Sequence, residues 1–183
     1  DGKLKIDGVG RIGYVSQFAI REGDQSVTVF DYLCQDFLAL EQEIGDICLQ
    51  MESAEDLDAL MERYQNLLDE SSAVDADNYE VNIRKQLKLA ELEDKADLEL
   101  EKLSGGELKL VQVIRQMLRR PGLLMMDEPD VFLDFENLNG LRDLINAYKG
   151  TLLVVTHSRY LLAHCFDRIW HLENGDLQEF EGS

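Results

Sequence analysis

The sequence of 183 residues lacks the features that would place it in or across a membrane. A spanning helix needs about 20 consecutive apolar residues, and no run here approaches that length; no secretory leader opens the chain either. Cysteine is scarce, and Cys34, Cys48 and Cys165 have no metal-ligand spacing, which indicates free thiols in a reducing compartment. We therefore expect a soluble, cytoplasmic protein with one hydrophobic core.

Basic residues are also few, with 18 lysines and arginines against 37 aspartates and glutamates and a net charge of −19. Binding to a nucleic-acid backbone needs clustered lysine and arginine, so this composition argues against it. Most of the excess acid lies between residues 31 and 81, where fifteen acidic residues face one basic residue, Arg63. A solvated helix face is the simplest interpretation, but the charge also sets this segment apart from its flanks.

A phosphate-binding loop of the form G-x-x-x-x-G-K-[ST] is absent from the sequence. Gly8, Gly10 and Gly13 do spell G-x-G-x-x-G, the pattern of a dinucleotide site. That pattern binds a pyrophosphate where a helix follows it, and here the strand-like segment 12–16 follows instead. We interpret these glycines as a turn.

The spacing of apolar residues predicts an α/β fold with a helical insertion. Intervals of three and four predict two helices within 37–68, connected near 53–55 as an antiparallel hairpin, and a third helix at 78–92. Uniform apolar runs at 123–126 and 151–155 predict strands of a parallel sheet, buried on both faces. The other predicted elements are strands around 4–6 and 12–16, helices at 106–120 and 138–148, and a closing β-hairpin at 169–180.

One segment at the start of a predicted helix is suited to phosphate binding. It consists of Leu103, Ser104, Gly105, Gly106 and Glu107. The free N–H groups and the dipole at a helix start attract a phosphate, and a serine hydroxyl adds a donor. An ordinary capping turn explains the same letters equally well.

Two predicted strands end in residues that could act on a phosphate ester. Asp127 and Glu128 follow the first strand, where an aspartate holds phosphate-bound Mg²⁺ in ATPases and a glutamate can polarise water. His157 follows the second strand, from which a ring nitrogen can reach a γ-phosphate. A plain strand-to-turn Asp-Glu-Pro without catalytic function is the alternative.

These segments occur in an order that resembles the motifs of an ABC ATPase domain. In that family's order they are the Q-loop at Gln17, the signature LSGGE at 103–107, the Walker B motif LLMMDEP at 123–129, the D-loop at 133–134 and the H-loop VVTHS at 154–158. The spacings agree as well, with twenty residues from Glu107 to Asp127 and twenty-three from Asp134 to His157. The resemblance covers nearly the whole chain and implies an α/β, P-loop NTPase fold of ABC type that lacks its Walker A portion.

Within that superfamily the chain most resembles the ABC-F class, whose soluble members join two ATPase domains without membrane domains. Three residues separate Pro129 from Leu133, as in that class, and HSRYL at 157–161 is close to its H-D-R-Y-F run. The long interval from Gln17 to Ser104 resembles the first domain of an ABC-F protein, which contains an inserted helical hairpin called the arm.

The chain departs from that class in three respects. Residues 130–132 are Asp-Val-Phe where Thr-Asn-His is usual, and Ser158 replaces an aspartate. The hairpin segment is strongly acidic, which argues against direct contact with ribosomal RNA. The family places its Walker A loop upstream of Gln17, so the chain resembles an excised portion of a larger protein.

The resemblance implies a role for each motif residue. Asp127 and Gln17 would bind Mg²⁺, Glu128 would polarise the attacking water and His157 would contact the γ-phosphate of ATP. The signature residues 103–107 would bind ATP held by a second ABC domain that supplies the Walker A side.

In the same resemblance Asp134 would couple the two ATP sites. Closure driven by ATP would then act on a partner, by analogy the ribosome. We assign residues 1–36 and 93–183 to the partial ABC core and residues 37–92 to a helical subdomain with the acidic hairpin insertion.

Three alternatives to this interpretation remain. The first is a subunit of an ABC transporter, which shares the motifs. The second is a chromosome-structure ATPase, although that class inserts a coiled coil far longer than the 87-residue interval from Gln17 to Ser104. A non-enzymatic module whose acidic hairpin binds a basic protein is a third. We expect the isolated chain to be inactive, because the carboxylates of Asp127 and Glu128 have no phosphate-loop lysine to offset them.

Overall fold

The computed structural model describes residues 10–19, 23–52 and 57–182. The helices in these ranges are α1 (Val29–Met51), α2 (Asp58–Val74), α3 (Tyr79–Leu89), α4 (Gly105–Leu118), α5 (Phe135–Ala147) and α6 (Arg159–His164). The strands are β1 (Ile12–Val15), β2 (Leu123–Asp127), β3 (Thr151–Val155), β4 (Arg168–Glu173) and β5 (Asp176–Glu181). Short 3-10 helices cover Ala76–Asn78, Glu93–Lys95 and Leu100–Lys102. None of the described helices is long and apolar enough to span a membrane.

The sheet has the order β1-β2-β3, and all three strands are parallel. Ile12 lies opposite Leu123, which in turn lies opposite Thr151. Strands joined in parallel need crossover connections, and here helices supply them, as the alternation of short apolar runs and amphipathic segments predicts. The prediction of an α/β fold with a parallel core is confirmed. β4 and β5 form the predicted hairpin, and its turn places Asn174 and Gly175 at positive φ.

One expectation about the sheet is wrong. Strand β3 is not buried on both faces, because alternate residues are exposed, including Leu153 at 43% and Val155 at 54%. Only the opposite face of β3, with Leu152 and Val154, packs against the core. An apolar run therefore identified the strand correctly but overstated its burial, because β3 is a border strand of the sheet as described.

The core is built around α4, which is apolar on nearly every face. Leu110, Val111, Val113 and Ile114 are all 0% exposed, as expected for a helix with neighbours on several sides. Those neighbours are α1, α3, α5 and β1. Because α4 begins with the signature segment, the core fixes the position of that segment directly.

Helix α1 begins at Val29, eight residues before the predicted helical segment. Thr28 caps it, because its side-chain oxygen accepts a hydrogen bond from the Asp31 amide at 3.1 Å. The predicted domain boundary between residues 36 and 37 therefore falls inside one continuous helix. The predicted connection near 53–55, the predicted strand at 4–6 and Gly8 lie outside the described residues.

Helices α1 and α2 pack against each other as a hairpin whose base and distal part differ. At the base, Phe37 and Val74 belong to the main hydrophobic core. Further out, Ile47 and Leu67 are buried but lie outside that cluster, and Leu49 and Met61 are exposed at 66% and 59%. Only the base of the hairpin is thus continuous with the core.

Candidate active site

The parallel sheet brings three of the sequence motifs to one edge. Carboxyl ends of parallel strands lie at the same edge of a sheet, so the residues that follow β1, β2 and β3 are neighbours. These residues are Gln17, Glu128 and His157, and Asp127 is the last residue of β2. Residues separated by more than a hundred positions in sequence thereby form one polar cluster.

Glu128 lies at the centre of this cluster. The side-chain amide of Gln17 donates a hydrogen bond to Glu128 Oε2 at 2.6 Å, and His157 Nε2 lies 3.5 Å from Glu128 Oε1. The Glu128 side chain is 24% exposed, whereas that of His157 is 90% exposed. Each carboxylate oxygen of Glu128 therefore faces a different predicted site residue, with one side of the cluster open to solvent.

The backbone at Glu128 adopts an unusual conformation. Its φ is +43°, in the left-handed region that a residue with a side chain seldom occupies, and its N–H donates to the Val155 carbonyl at 2.8 Å. Conformations of this kind cost about 1–3 kcal/mol and occur most often at functional sites. The turn after β2 is thus held to β3 in the geometry that directs Glu128 towards Gln17 and His157.

The turn is held in place a second time by Asp130, Thr156 and Ser158, for which the sequence predicted no structural role. Asp130 accepts a hydrogen bond from the Thr156 hydroxyl at 2.5 Å, and the Thr156 oxygen accepts one from the Ser158 amide at 3.0 Å. Asp130 replaces the usual threonine of the ABC-F class, and its contact with Thr156 gives the replacement a structural role. The positions of Glu128 and His157 are fixed together as a result.

Asp127 and Gln17 offer oxygen ligands of the type that Mg²⁺ prefers. The Asp127 carboxylate lies 3.5 Å from the Tyr14 hydroxyl, too far for a firm hydrogen bond, and the Gln17 amide nitrogen is directed to Glu128. Among the described residues no group of three or more His, Cys, Asp or Glu side chains could hold a metal. The donor set fits a Mg²⁺ ion that keeps water and phosphate as its other ligands.

The signature segment forms a complete capping box. Ser104 Oγ accepts a hydrogen bond from the Glu107 amide at 3.2 Å, and the Ser104 amide donates to Glu107 Oε2 at 2.7 Å. Gly105 and Gly106 supply the first two N–H groups of α4, which have no carbonyl one turn back in the helix. Leu103 is only 3% exposed, so its side chain packs in the core and a ligand could contact only its backbone.

The signature and the D-loop lie against each other. A Cβ added to Gly106 would meet the Asn137 side chain at 2.8 Å and that of Leu133 at 3.4 Å, so a larger residue here would displace the end of the Asn137 side chain. A cavity of about 420 Å³ opens beside them, with Ser104, Glu107 and Asp134 in its lining. Asp134 also caps α5 by accepting a hydrogen bond from the Asn137 amide at 2.9 Å. The structure thus joins the signature and Asp134 in a second site, separate from the Glu128 cluster.

The glycine-rich pattern near the start of the chain has a packing role. Gly13 lies within β1, and a Cβ there would meet the side chains of Leu124 and Pro121 at 2.9 Å each. The pattern runs into strand β1, and no described helix begins directly after it, so no helix start is available there for a pyrophosphate. The interpretation of these glycines as a turn is wrong for Gly13, which lies inside the strand, whereas Gly10 precedes the strand and Gly8 lies outside the described residues.

Lys109 is the residue near the carboxylates that the sequence did not single out. Its ammonium donates a hydrogen bond to the carbonyl of Ser16, and its side chain is 2% exposed. Burial lowers its pKa to about 8, while the charges of Asp127 and Asp130 act in the opposite direction. A lysine therefore lies near Asp127 and Asp130, although it belongs to α4 and not to a phosphate loop.

Solved structures of similar fold include an archaeal ribosome recycling factor and an ATP-binding cassette of an ABC transporter. The structure of the archaeal ribosome recycling factor aABCE1 with the ribosomal stalk protein aP1 matches 96% of this chain and 27% of its own, with a TM-score of 0.58 and 24% identity. An ATP-binding cassette of an ABC transporter in its ADP conformation matches 93% of this chain and 61% of its own, with a TM-score of 0.54 and 20% identity. These likenesses show the fold, which is that of an ABC-type P-loop NTPase.

Comparison with sequence families agrees with the fold. Residues 36–163 match the AAA_21 family, described as "AAA domain, putative AbiEii toxin, Type IV TA system". The chain belongs to this family and is an ABC ATPase domain most like those of the ABC-F class.

The curated relatives are longer proteins. The energy-dependent translational throttle protein EttA of Haemophilus influenzae is 30% identical over 175 residues, which cover 94% of this chain and 31% of EttA. EttA of Mycobacterium tuberculosis is 29% identical over 153 residues, which cover 79% of this chain and 27% of EttA. The ABC transporter ATP-binding protein YfmM of Bacillus subtilis is 26% identical over all of this chain and 36% of its own. The chain spans about a third of the length of these relatives.

Proposed function

We propose that this chain supplies the catalytic carboxylate of one ATP site and the signature of another in an ABC-F-like ATPase. The observation that carries the proposal is the placement of Glu128, with Gln17 2.6 Å from one carboxylate oxygen and His157 3.5 Å from the other. A glutamate held in this way, beside an aspartate suited to Mg²⁺, is equipped to activate water for attack on a phosphate.

The roles of the three residues follow from their contacts. Glu128 accepts the proton of the attacking water, and Gln17 holds it in position by donating to Oε2. His157, whose side chain is 90% exposed, contacts the γ-phosphate as ATP enters from the open side of the cluster. Asp127 and the amide oxygen of Gln17 would hold Mg²⁺, which would neutralise charge on the phosphates when bound.

The second site acts on ATP held by a second ABC domain, which supplies the Walker A side. Ser104, Gly105 and Gly106 contact that nucleotide from the start of α4, where the N–H groups and dipole favour a phosphate. Glu107 already occupies the Ser104 amide, so a phosphate would rely on the glycine amides and the serine hydroxyl. Asp134 lines the same cavity and couples the two sites.

The partner of the whole protein is proposed by analogy. The relative EttA is named a translational throttle, and we propose the cytoplasmic ribosome as the partner of this protein as well. We propose that residues 37–92 act as a helical subdomain that presents the acidic hairpin and residues 1–36 and 93–183 as the catalytic core, with the first boundary lying within α1 and not in a linker. A nucleotide-binding subunit of a transporter is the second candidate, because YfmM is named an ABC transporter ATP-binding protein.

The test of the catalytic proposal is Glu128→Gln in a protein that joins this chain to a Walker A segment and a second ABC domain. The amide keeps the shape of the side chain but cannot accept the proton, so turnover should fall by about 10²–10⁴-fold while ATP binding persists. Glu179→Gln, an exposed position paired with Arg168 on the closing hairpin, is the matched control and should retain activity. Normal turnover in Glu128→Gln would remove Glu128 from the mechanism.

Co-sedimentation separates the two candidate partners. The Glu128→Gln protein, loaded with ATP, should sediment with purified ribosomes through a sucrose cushion if the ribosome is the partner. Failure to sediment, combined with intact ATP binding, would favour the transporter candidate. The result reports on binding and not on turnover, and it requires that the Glu128→Gln protein still holds ATP during sedimentation.

A further inference from the structure

Lys109 is the only charged side chain that is buried among the described residues. It lies in the second turn of α4, five residues after the signature serine, Ser104. Its ammonium donates to the backbone carbonyl of Ser16, the residue immediately before Gln17. An ammonium group removed from water is costly unless it is paired, so a buried lysine in a core helix requires an explanation.

The groups around Lys109 belong to two segments outside its own helix, the start of the Q-loop and the turn after β2. The Ser16 carbonyl precedes the Q-loop glutamine, while Asp127 and Asp130 flank Glu128 in the turn after β2 and supply the negative charge near the ammonium. The Gln17 amide in turn donates to Glu128. One side chain on the signature helix thus contacts the Q-loop and lies within the electrostatic influence of the Walker B turn.

We propose that Lys109 is a positioning residue that fixes Gln17 against Glu128 and couples that contact to the position of the signature helix. The inference rests on the proposed function, in which Gln17 and Glu128 serve one ATP site and the start of α4 serves the other. Because α4 is fully buried along much of its length, it moves as a rigid body. A shift of the signature therefore reaches Gln17 through the Lys109–Ser16 hydrogen bond.

Lys109→Met separates the positioning role from a contribution to stability. Methionine has nearly the same length and no charge, and replacing a buried charge by an apolar group is often neutral or stabilising. Lys109→Met should therefore keep the melting midpoint within about 4 °C of the parent. It should nevertheless release the Ser16 carbonyl, so the amides of 16–19 should exchange with solvent roughly three- to tenfold faster.

The decisive measurement is the side-chain amide signal of Gln17 in a ¹⁵N–¹H correlation spectrum of the 183-residue chain. That signal can be assigned by its loss in Gln17→Glu. Lys109→Met should shift it towards the position of a free glutamine amide, whereas Lys102→Met, which removes an exposed lysine paired with Glu99, should not move it. Val113→Ala, at a buried position one turn further along the same face, should lower the melting midpoint without shifting the signal.

If folded Lys109→Met leaves both the Gln17 signal and the amide exchange of residues 16–19 unchanged, the proposal is overturned. It is also overturned if Val113→Ala shifts the Gln17 signal as much as Lys109→Met does. If Lys109→Met does not fold, Lys109→Arg decides: the guanidinium is longer and planar, so it moves the donor and should also shift the Gln17 signal. An unmoved signal in folded Lys109→Arg would overturn the proposal as well. These measurements need no nucleotide, so their failure is distinct from that of the Glu128→Gln test.

Discussion

Asp36 should be among the most important single charges for the stability of this chain. It lies on α1 and accepts four hydrogen bonds from two arginines of α4: Arg115 Nε at 3.0 Å and Nη2 at 2.9 Å, and Arg119 Nε at 2.7 Å and Nη2 at 2.9 Å. Arg115 also lies over the ring of Tyr32, 4.3 Å from its centroid. We predict that Asp36→Asn destabilises the fold, because the asparagine leaves two facing guanidinium groups without their anion.

The size of the effect follows from the burial of the cluster. Hydrogen bonds to a charged group contribute about 1.5–3 kcal/mol, and removing one partner of a fully buried pair costs about 3–5 kcal/mol. Here the side chains of Asp36, Arg115 and Arg119 are 29%, 20% and 34% exposed, so solvent screening reduces the loss. We expect about 2–3 kcal/mol, which lowers the melting midpoint of a chain of this size by about 4–12 °C.

The matched control is Glu43→Gln, which removes one negative charge from an exposed pair with Arg63 on the same hairpin. Exposed pairs contribute about 0–1 kcal/mol, and both variants reduce the net charge of −19 equally, so the general relief of repulsion cancels. The assay is chemical unfolding at pH 7 with calorimetric scans of the same samples. If Asp36→Asn and Glu43→Gln lose equal stability, the Asp36 cluster contributes nothing and the reasoning fails.

Acid provides an independent check on Asp36. Burial alone would raise its pKa, but the hydrogen bonds and charges of Arg115 and Arg119 hold that pKa well below its usual range. A carboxyl with a depressed folded pKa contributes stability above its unfolded pKa of about 3.9 and loses it as the pH falls towards the folded value. The difference in unfolding free energy between the parent and Asp36→Asn should therefore shrink below about pH 4. A constant difference down to pH 2 would contradict the proposed ion pairing.

Two further predictions concern the hairpin and the isolated chain. In the first, Gly-Ser-Gly-Ser replaces residues 44–62, next to the contact between Glu43 and Arg63. The shortened chain should keep one cooperative unfolding transition with a midpoint within about 4 °C of the parent, because the main core lies elsewhere. Loss of the transition would show that the distal hairpin is core. Titration of the isolated chain with Mg-ATP in a calorimeter should detect no binding tighter than about 100 µM, since Asp127 and Glu128 repel phosphates and the chain has no phosphate loop. A low-micromolar dissociation constant would indicate an unrecognised nucleotide site.

The sequence predicts best those elements whose ends are clearly marked. Strand β3 is located to the residue, because an unbroken apolar run follows a glycine and ends in polar residues, although its burial on both faces is predicted wrongly. The motif residues at the strand ends are also predictable, since Asp127, Glu128 and His157 follow uniform strands and parallel strands end at one edge. The start of α1 was missed although Thr28 and Asp31 carry a capping signal, because the apolar spacing becomes regular only later.

The periodicity of apolar residues does not predict contacts between distant segments. The bonds from Arg115 and Arg119 to Asp36 join residues 79 and 83 positions apart, and in the sequence those arginines look like exposed charges near a helix end. Lys109 is harder still, since a lone lysine among Leu108, Leu110 and Val111 gives no indication of what it contacts. Helix α6 was missed because six residues are too few for a period, although Ser158 caps it by accepting from the Leu161 amide at 3.3 Å.

These distant contacts place α4 between two sets of charged partners. At one end of the helix Lys109 holds the carbonyl before Gln17, and towards the other end Arg115 and Arg119 hold Asp36 at the base of the hairpin. A closely packed helix can transmit displacement along its length, so we predict that a force on the hairpin reaches the signature and the Gln17–Glu128 contact through α4. Asp36→Asn should weaken this connection at the hairpin end alone, so it should leave the Gln17 amide signal where it is in the parent, whereas Lys109→Met should move it.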